Sequence, residues 1–379
     1  GRTTQSREHP HPGYYLGNGK AKELKDTLPD TIHIIISDDE LSPLQQKNLE
    51  KMFGEIKILD RTSLILDIFA KRATTSEAKC QIELAQLEYL KPRLTRLWTH
   101  LSRLGGGIGT KGPGEKQLEV DKRQIESRIS TLKKSIKTIK RHRNTQREKR
   151  RQIPMLTAAL VGYTNAGKST LMNTLTNAQV VSKNQLFSTL DPITRRIKLP
   201  SHDELLITDT VGFIQKLPHQ LVSAFHATLE SIKEADFLLH LVDASHPKCL
   251  DMLDTSLSLL KELDSDHKPQ LLILNKIDVA SNIAYLENSL SKSFQTVSIS
   301  ALNNLHIDNL YTKIDTFLST FSKKMTFHIP YNRMDMVNVL YSKGKVCEES
   351  YDEKIKLTVN INRILGEKIL GSLYESPKE

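Results

Sequence analysis

GYTNAGKST, Gly162 to Thr170, directly follows the apolar run LTAALV, Leu156 to Val161. Gly162, Gly167, Lys168 and Ser169 satisfy the spacing G-x-x-x-x-G-K-[ST], in the strand-then-helix setting that the chemistry requires. Such a loop wraps phosphates with backbone N–H groups and adds the dipole of the helix that follows. Tyr163, Thr164, Asn165, Ala166 and Thr170 complete the expected nucleotide cradle. Lys168 is expected to bridge the β- and γ-phosphates, and Ser169 to ligate Mg²⁺.

Three further signals lie downstream, each after a strand-like run. Asp209-Thr210-Val211-Gly212 follows ELLIT. It offers a carboxylate for the Mg²⁺ shell and a glycine N–H for the γ-phosphate. Asn275-Lys276-Ile277-Asp278 follows QLLIL. A carboxylate at Asp278 can accept from the N1–H and exocyclic amine of guanine, donors that adenine does not present there. Ser300-Ala301-Leu302 follows TVSI, where a backbone amide can meet the base oxygen. Four boxes in this order predict a GTPase with Mg²⁺ held by Ser169 and Asp209, and with Lys168 and Gly212 on the reacting phosphate. Phe213 stands where a water-orienting glutamine occurs in Ras-like enzymes. Its ring cannot hydrogen-bond the attacking water, so stabilisation must come from another residue, a retracted Phe213 or a partner surface. Slow intrinsic hydrolysis, accelerated by a partner, is the expectation.

From Pro154 onward, strand and helix signals alternate. Strands are predicted at Leu156–Val161, Glu204–Thr208, Phe237–Val242, Gln270–Leu274 and Thr296–Ile299, with helices around 168–176, 220–233, 248–263 and 307–318. That alternation is the pattern of an α/β fold with a doubly wound, parallel-rich sheet flanked by helices. The last 55 or so residues read as a separate small α/β piece with a strand over Lys354–Asn360. Near the N-terminus, His33–Ser37 and Glu55–Leu59 flank an amphipathic stretch, Leu44–Met52, and predict a β-α-β unit.

Leucines 87, 90, 94, 97, 101 and 104 recur at alternating spacings of 3 and 4. The rhythm resumes with Leu118, Ile125, Ile129, Leu132, Ile136 and Ile139. It predicts two long helices folded into an antiparallel hairpin, with a kink or break at Pro92. Between them lies LGGGIGTKGPGE, Leu104 to Glu115, with a formal G-x-G-x-x-G at Gly107, Gly109 and Gly112. A leucine-rich helix precedes it rather than a strand, so it fails the context test for dinucleotide binding. A plain turn needs few glycines; this one has six with Pro113, Lys111 and Lys116 nearby, which favours close approach to a crowded surface such as RNA.

Charge supports a polyanion partner. Lys116–Arg151 holds 14 Lys/Arg and 4 Asp/Glu, an excess equal to the net +10 of the whole chain. Its last segment, KRHRNTQREKRR from Lys140 to Arg151, has no aromatic residue for base stacking, so phosphate contact is expected rather than base reading. At 379 residues, 38% hydrophobic and 26% charged, the chain fits two or three globular domains. No apolar run approaches the ~20 residues of a membrane span, and the N-terminus lacks a signal-peptide core. Three scattered cysteines make neither a disulfide framework nor a metal cluster and point to a reducing cytoplasm.

The boxes resemble those of translation-factor-related GTPases, and the chain as a whole resembles the HflX family. The resemblance rests further on TSLILDIFAKRATTSEAKCQIELAQLEYLKPRL, GGIGTKGPGE with LEVDKR, and LFSTLDPITRRI. The opening HPGYYLGNGKAKELK and the late IPYNRMDMVNVLYSKGKV also match. It implies an N-terminal α/β subdomain (1–86), a basic helical hairpin with a glycine-rich tip (87–152), a GTPase domain (153–322) and a small C-terminal α/β domain (323–379). It also places the first switch at Phe187-Ser188-Thr189-Leu190-Asp191, with Thr189 as a second Mg²⁺ ligand and γ-phosphate sensor. The implied partner is the large (50S) ribosomal subunit and its rRNA, reached through the hairpin and Gly105–Gly114. A cytoplasmic monomer that acts in ribosome dissociation or rescue is the corresponding expectation. Two alternatives stand beside it: an RNA-binding adaptor with a GTP-timed switch, and ATP-dependent RNA remodelling through the N-terminal half.

Overall fold

The computed structural model describes residues 1–97, 113–151, 155–176, 192–201, 203–215 and 226–374. They form two compact units, one ending at Ile139 and the other beginning at Lys140.

The first unit opens with α1 (Asn18–Thr27), β1 (Ile34–Ser37), α2 (Pro43–Phe53), β2 (Lys57–Asp60) and α3 (Arg61–Arg72). β1 and β2 pair in parallel with Ile35 opposite Ile58, as the β-α-β reading predicts. Two capping boxes set the helix starts. Ser42 accepts from the Gln45 N–H and opens α2, while Asp60 accepts from the Ser63 N–H and opens α3. Leu41, Leu49, Phe53 and Ile58 close a small apolar core.

α4 (Ser76–Leu97) and α5 (Pro113–Arg151) are the two long helices. α4 begins earlier than Leu87, and it runs through Pro92 without the expected break. The next residue supplies a brace. The Arg93 guanidinium donates to the carbonyls of Tyr89 and Leu41 and to Asp60 Oδ2, and lies over the Tyr89 ring. Asp60, fully buried, also accepts from the Tyr89 hydroxyl and the Leu41 N–H. With a further bond from its Nε to Gln46 Oε1 of α2, one side chain thus pins α4 to α2, to β2 and to the start of α3, which offsets the hydrogen bond that proline removes. Along α5, 39 residues and about 58 Å at 1.5 Å per residue, Leu132 is buried and Ile125, Ile129, Ile136 and Ile139 are half-buried. Ion pairs Glu83–Arg128, Glu88–Lys133 and Lys91–Glu126 join the two helices. α5 starts at Pro113, so Pro113 and Gly114 belong to its first turn rather than to the loop. Leu101, Leu104 and Gly105–Gly112 lie outside the described residues.

The second unit is built on a six-stranded sheet, ordered β4-β5-β3-β6-β7-β8. Its strands are β3 (Leu156–Gly162), β4 (Ile193–Lys198), β5 (Glu204–Asp209), β6 (Phe237–Asp243), β7 (Gln270–Asn275) and β8 (Gln295–Ser298). All pairings are parallel except β4 with β5. Helices α6 (Lys168–Thr176), α7 (His226–Glu234), α8 (Cys249–Glu262), α9 (Ile283–Leu290) and α10 (Ile307–Ser319) alternate with them. β3, β6 and β7 are buried almost throughout, as strands covered on both faces must be. Because β3, β5, β7 and β8 share one direction, their carboxyl ends open on one rim, where an α/β sheet binds its ligand.

β9 (Ser322–Ile329), α11 (Met334–Lys343), β10 (Lys345–Tyr351), β11 (Ile355–Asn362) and α12 (Arg363–Tyr374) follow. Their antiparallel sheet has the order β10-β11-β9, and Ile355, Leu357, Val359 and Ile361 of β11 point inward alternately. Those residues fall in the same apolar cluster as Leu156, Leu205, Phe237 and Phe317 of the larger sheet. Lys368 of α12 adds polar bonds to Asp236 and the Met155 carbonyl.

Candidate functional site

At the rim, two glycines are required by close approach. Gly162 has φ +142, and a Cβ there would lie 2.2 Å from the Leu241 carbonyl oxygen. Gly167 has φ +98, and its Cβ would lie 2.2 Å from Asn275 Nδ2. That proximity serves a bond: Asn275 Nδ2 donates to the Ala166 carbonyl at 2.8 Å, and Asn275 Oδ1 accepts from the Ala301 N–H at 3.0 Å. A single buried side chain therefore sews the loop after β3 to the loop after β8. Lys276 extends to Asp243 at 2.6 Å, and the Ile277 N–H bonds the Ile299 carbonyl. Asp278 accepts from Asn303 Nδ2 at 3.1 Å, beside the 77% exposed Leu302 and the buried Ser300.

Lys168 and Ser169, at the start of α6, are buried. The Lys168 ammonium donates to the carbonyls of Gly162 (3.1 Å) and Tyr163 (2.9 Å). Burial pushes its pKa down to about 8, against the pull of nearby Asp209. Ser169 Oγ donates to Asp209 Oδ2 at 2.8 Å. These two hard oxygen ligands suit Mg²⁺, which takes few protein ligands and completes its octahedron with phosphate and water.

The segment after β5 zips onto the phosphate loop. The Phe213 N–H donates to the Gly162 carbonyl (3.0 Å), and the Thr164 N–H to the Phe213 carbonyl (2.8 Å). A Cβ on Gly212 would meet Thr164 Cα at 2.7 Å and Lys168 Nζ at 2.9 Å. Thr210 donates to the Leu160 carbonyl, and Val211 is buried. The Phe213 ring turns away, into an apolar cluster with Ala159, Val161, Ile232 and Leu238. The ring is thus drawn back from the nucleotide rim.

The sites expected at Gly162–Thr170, Asp209–Gly212, Asn275–Asp278 and Ser300–Leu302 thus converge on one rim. Phe187, Ser188, Thr189, Leu190 and Asp191 lie outside the described residues. Asp243, Asn303 and Tyr163 have contacts that the motifs alone did not announce. The Tyr163 hydroxyl accepts from the Gln215 N–H at 3.3 Å, and Gln215 in turn donates to Thr255. Asp243 could have been noticed as an acid ending the strand FLLHLVD, beside the N-K-x-D box.

Fold and site together define a GTPase of the P-loop class. Matched families are described as the GTP-binding GTPase N-terminal region (residues 1–70), the GTP-binding GTPase middle region (72–150) and a 50S ribosome-binding GTPase (157–276). GTPase HflX of Caldanaerobacter subterraneus is 45% identical over 93% of this chain and 81% of its own, and GTPase HflX of Escherichia coli 42% identical over 94% and 84%. The chain belongs to the HflX family of GTPases. A GTP-binding protein from Sulfolobus solfataricus, solved with GDP, is 27% identical over 82% of this chain and 88% of its own, with a TM-score of 0.46.

Proposed function

We propose that the chain hydrolyses GTP to GDP and phosphate while engaging the RNA of the large ribosomal subunit, with the bound nucleotide setting how firmly it holds on. The observation that carries the RNA half is α5, whose described flanks expose Lys122, Arg123, Arg128, Lys133, Lys134 and Lys137. The family description as a 50S ribosome-binding GTPase supports the same partner.

At the rim, the N–H groups from Thr164 to Ser169 wrap the phosphates. Lys168 turns from two carbonyls to the β- and γ-oxygens, regaining full charge. Asp278 and the Ala301 N–H read guanine. Ser169 and Asp209, with Thr189 when GTP is present, would hold Mg²⁺. An ion held there would supply positive charge against the phosphates. Thr189 and the Gly212 N–H sense the γ-phosphate, so its loss releases both switches. No side chain at position 213 reaches the attacking water, and in-line attack is therefore slow until a partner completes the site. Turnover by the isolated protein at ~1 s⁻¹, within the range of partner-activated GTPases, would contradict this.

The test is GTP turnover with and without purified large subunits, for this chain and for a form with Gly105–Gly114 replaced by a short linker. Stimulation lost in the linker form supports RNA contact through that loop. Stimulation that survives moves the contact elsewhere. No stimulation overturns the ribosomal reading and favours the adaptor.

A further inference from the structure

The first turn of the basic run Lys140–Arg151 already holds an anion. Lys140 Nζ lies 3.0 Å from Glu230 Oε1, and Arg143 Nη2 donates to Glu230 Oε2 at 2.5 Å. Both oxygens of one carboxylate are gripped, by a guanidinium on one side and an ammonium on the other. The side chains of Glu230 and Arg143 are only 14% and 18% exposed, whereas both members of the Arg128–Glu83 pair exceed a third. Two cations spaced for the two oxygens of a carboxylate are equally spaced for the two non-bridging oxygens of a phosphodiester.

Glu230 sits on α7 two residues before Ile232, on the other side of the helix, and the buried Ile232 side chain packs in the same cluster as Phe213. Phe213 is bonded through its backbone to Gly162 and Thr164 of the phosphate loop. The path from Glu230 to the nucleotide rim is therefore contiguous: α7, Ile232, Phe213, phosphate loop.

We propose that Lys140 and Arg143 form a phosphate seat for RNA backbone and that Glu230 is its built-in competitor, so that RNA entering the seat frees α7 and reports to the Phe213 segment. This rests on the reading that RNA is the partner of α5. The seat adds a residue-level site and a mechanism of stimulation to it. In the RNA-free protein the carboxylate holds α7 in place; a phosphate that displaces it must first break a shielded, charge-assisted pair.

Glu230→Gln keeps the shape and removes the charge. Its affinity for purified large subunits is expected to rise roughly fivefold, the low end of an allosteric coupling; its RNA-free GTP turnover is expected to rise and the fold-stimulation by subunits to shrink. Arg143→Gln is the second arm: weaker binding, with the slope of log K against log salt shallower by about one. If subunits bind and stimulate the parent protein but Glu230→Gln alters neither affinity nor turnover, or Arg143→Gln leaves the salt slope unchanged, the seat is wrong while the ribosomal reading stands. If neither the parent nor Glu230→Gln binds subunits, that reading fails and the seat falls with it. Circular dichroism melts of both variants confirm that they are folded, and unfolding of one leaves the other to decide.

Discussion

Lys168 offers a direct link between the buried geometry of the rim and a quantity measurable in solution. In the free protein its ammonium is enclosed by two carbonyls, and burial depresses its pKa from 10.5 to about 8. A bound β-phosphate favours the charged form, so nucleotide must be accompanied by proton uptake wherever free Lys168 is neutral. With a pKa of 8 the neutral fraction is roughly 0.1 at pH 7.0 and 0.8 at pH 8.5. The apparent Kd for GDP should therefore rise about fourfold between those pH values, with about 0.8 proton taken up per GDP at pH 8.5. Stopping at pH 8.5 limits interference from ionisation of the guanine N1–H. Titration calorimetry in two buffers of different ionisation enthalpy measures the uptake directly. For the nucleotide-free protein, the folded pKa lies below the unfolded one. Between pH 8 and 10.5 the unfolded chain binds the extra proton, and stability from this group rises with pH. An uptake near zero at pH 8.5, with a flat Kd, would refute the caged-ammonium account.

Other consequences follow from buried groups elsewhere. His240 is enclosed between sheet and helices, with its ring bonded to Gln270, and burial pushes its pKa down to about 4. The unfolded chain alone binds this proton between pH 6.5 and 4, so roughly 3 kcal/mol of stability is lost as pH falls through that window. His240→Leu should flatten the acid limb in urea melts at pH 7 and 4.5, and an unchanged limb would count against it. Phe213→Gln should not install a water-orienting glutamine but bury an amide in the cluster around Ile232; we expect a loss of about 2–4 kcal/mol with no faster single-turnover hydrolysis. Faster hydrolysis at full stability would argue that the ring position is mobile. Arg93→Met leaves Asp60 charged and buried with one cation fewer. It should cost about 3–5 kcal/mol in denaturant melts, and less than 1 kcal/mol would show that the brace is dispensable.

The nucleotide rim was legible because each box demands particular residues for backbone reasons. Gly162 and Gly167 occupy positive φ within reach of other strands, and no other residue type meets that requirement cheaply. The strand runs of β3, β6 and β7 declared themselves because they are buried on both faces. β4 did not: ITRRIK exposes Thr194, Arg195 and Arg196 on an edge, so neither an apolar run nor alternation marks it. β9 is hidden in the same way, since SKKMTFHI buries only Phe327 and Ile329. Pro92 misled the helix reading because the brace at Arg93 draws on Leu41 and Asp60, which are 52 and 33 residues away. Charge pairs such as Arg143 with Glu230 have no spacing rule at all, being 87 residues apart.

The apolar cluster that runs from Leu156 and Phe317 into Phe327, Leu357 and Val359 has a consequence for how the second unit comes apart. Two sheets that share one dry interior cannot melt one after the other, because opening either wets the other. The segment from Ser322 onward then behaves as the keel of the catalytic body rather than as an appendage. A nucleotide bound at Gly167 should slow amide exchange in β11, at a distance no ligand contact spans, and a chain ending at residue 321 would leave Leu156, Leu205 and Phe317 facing water.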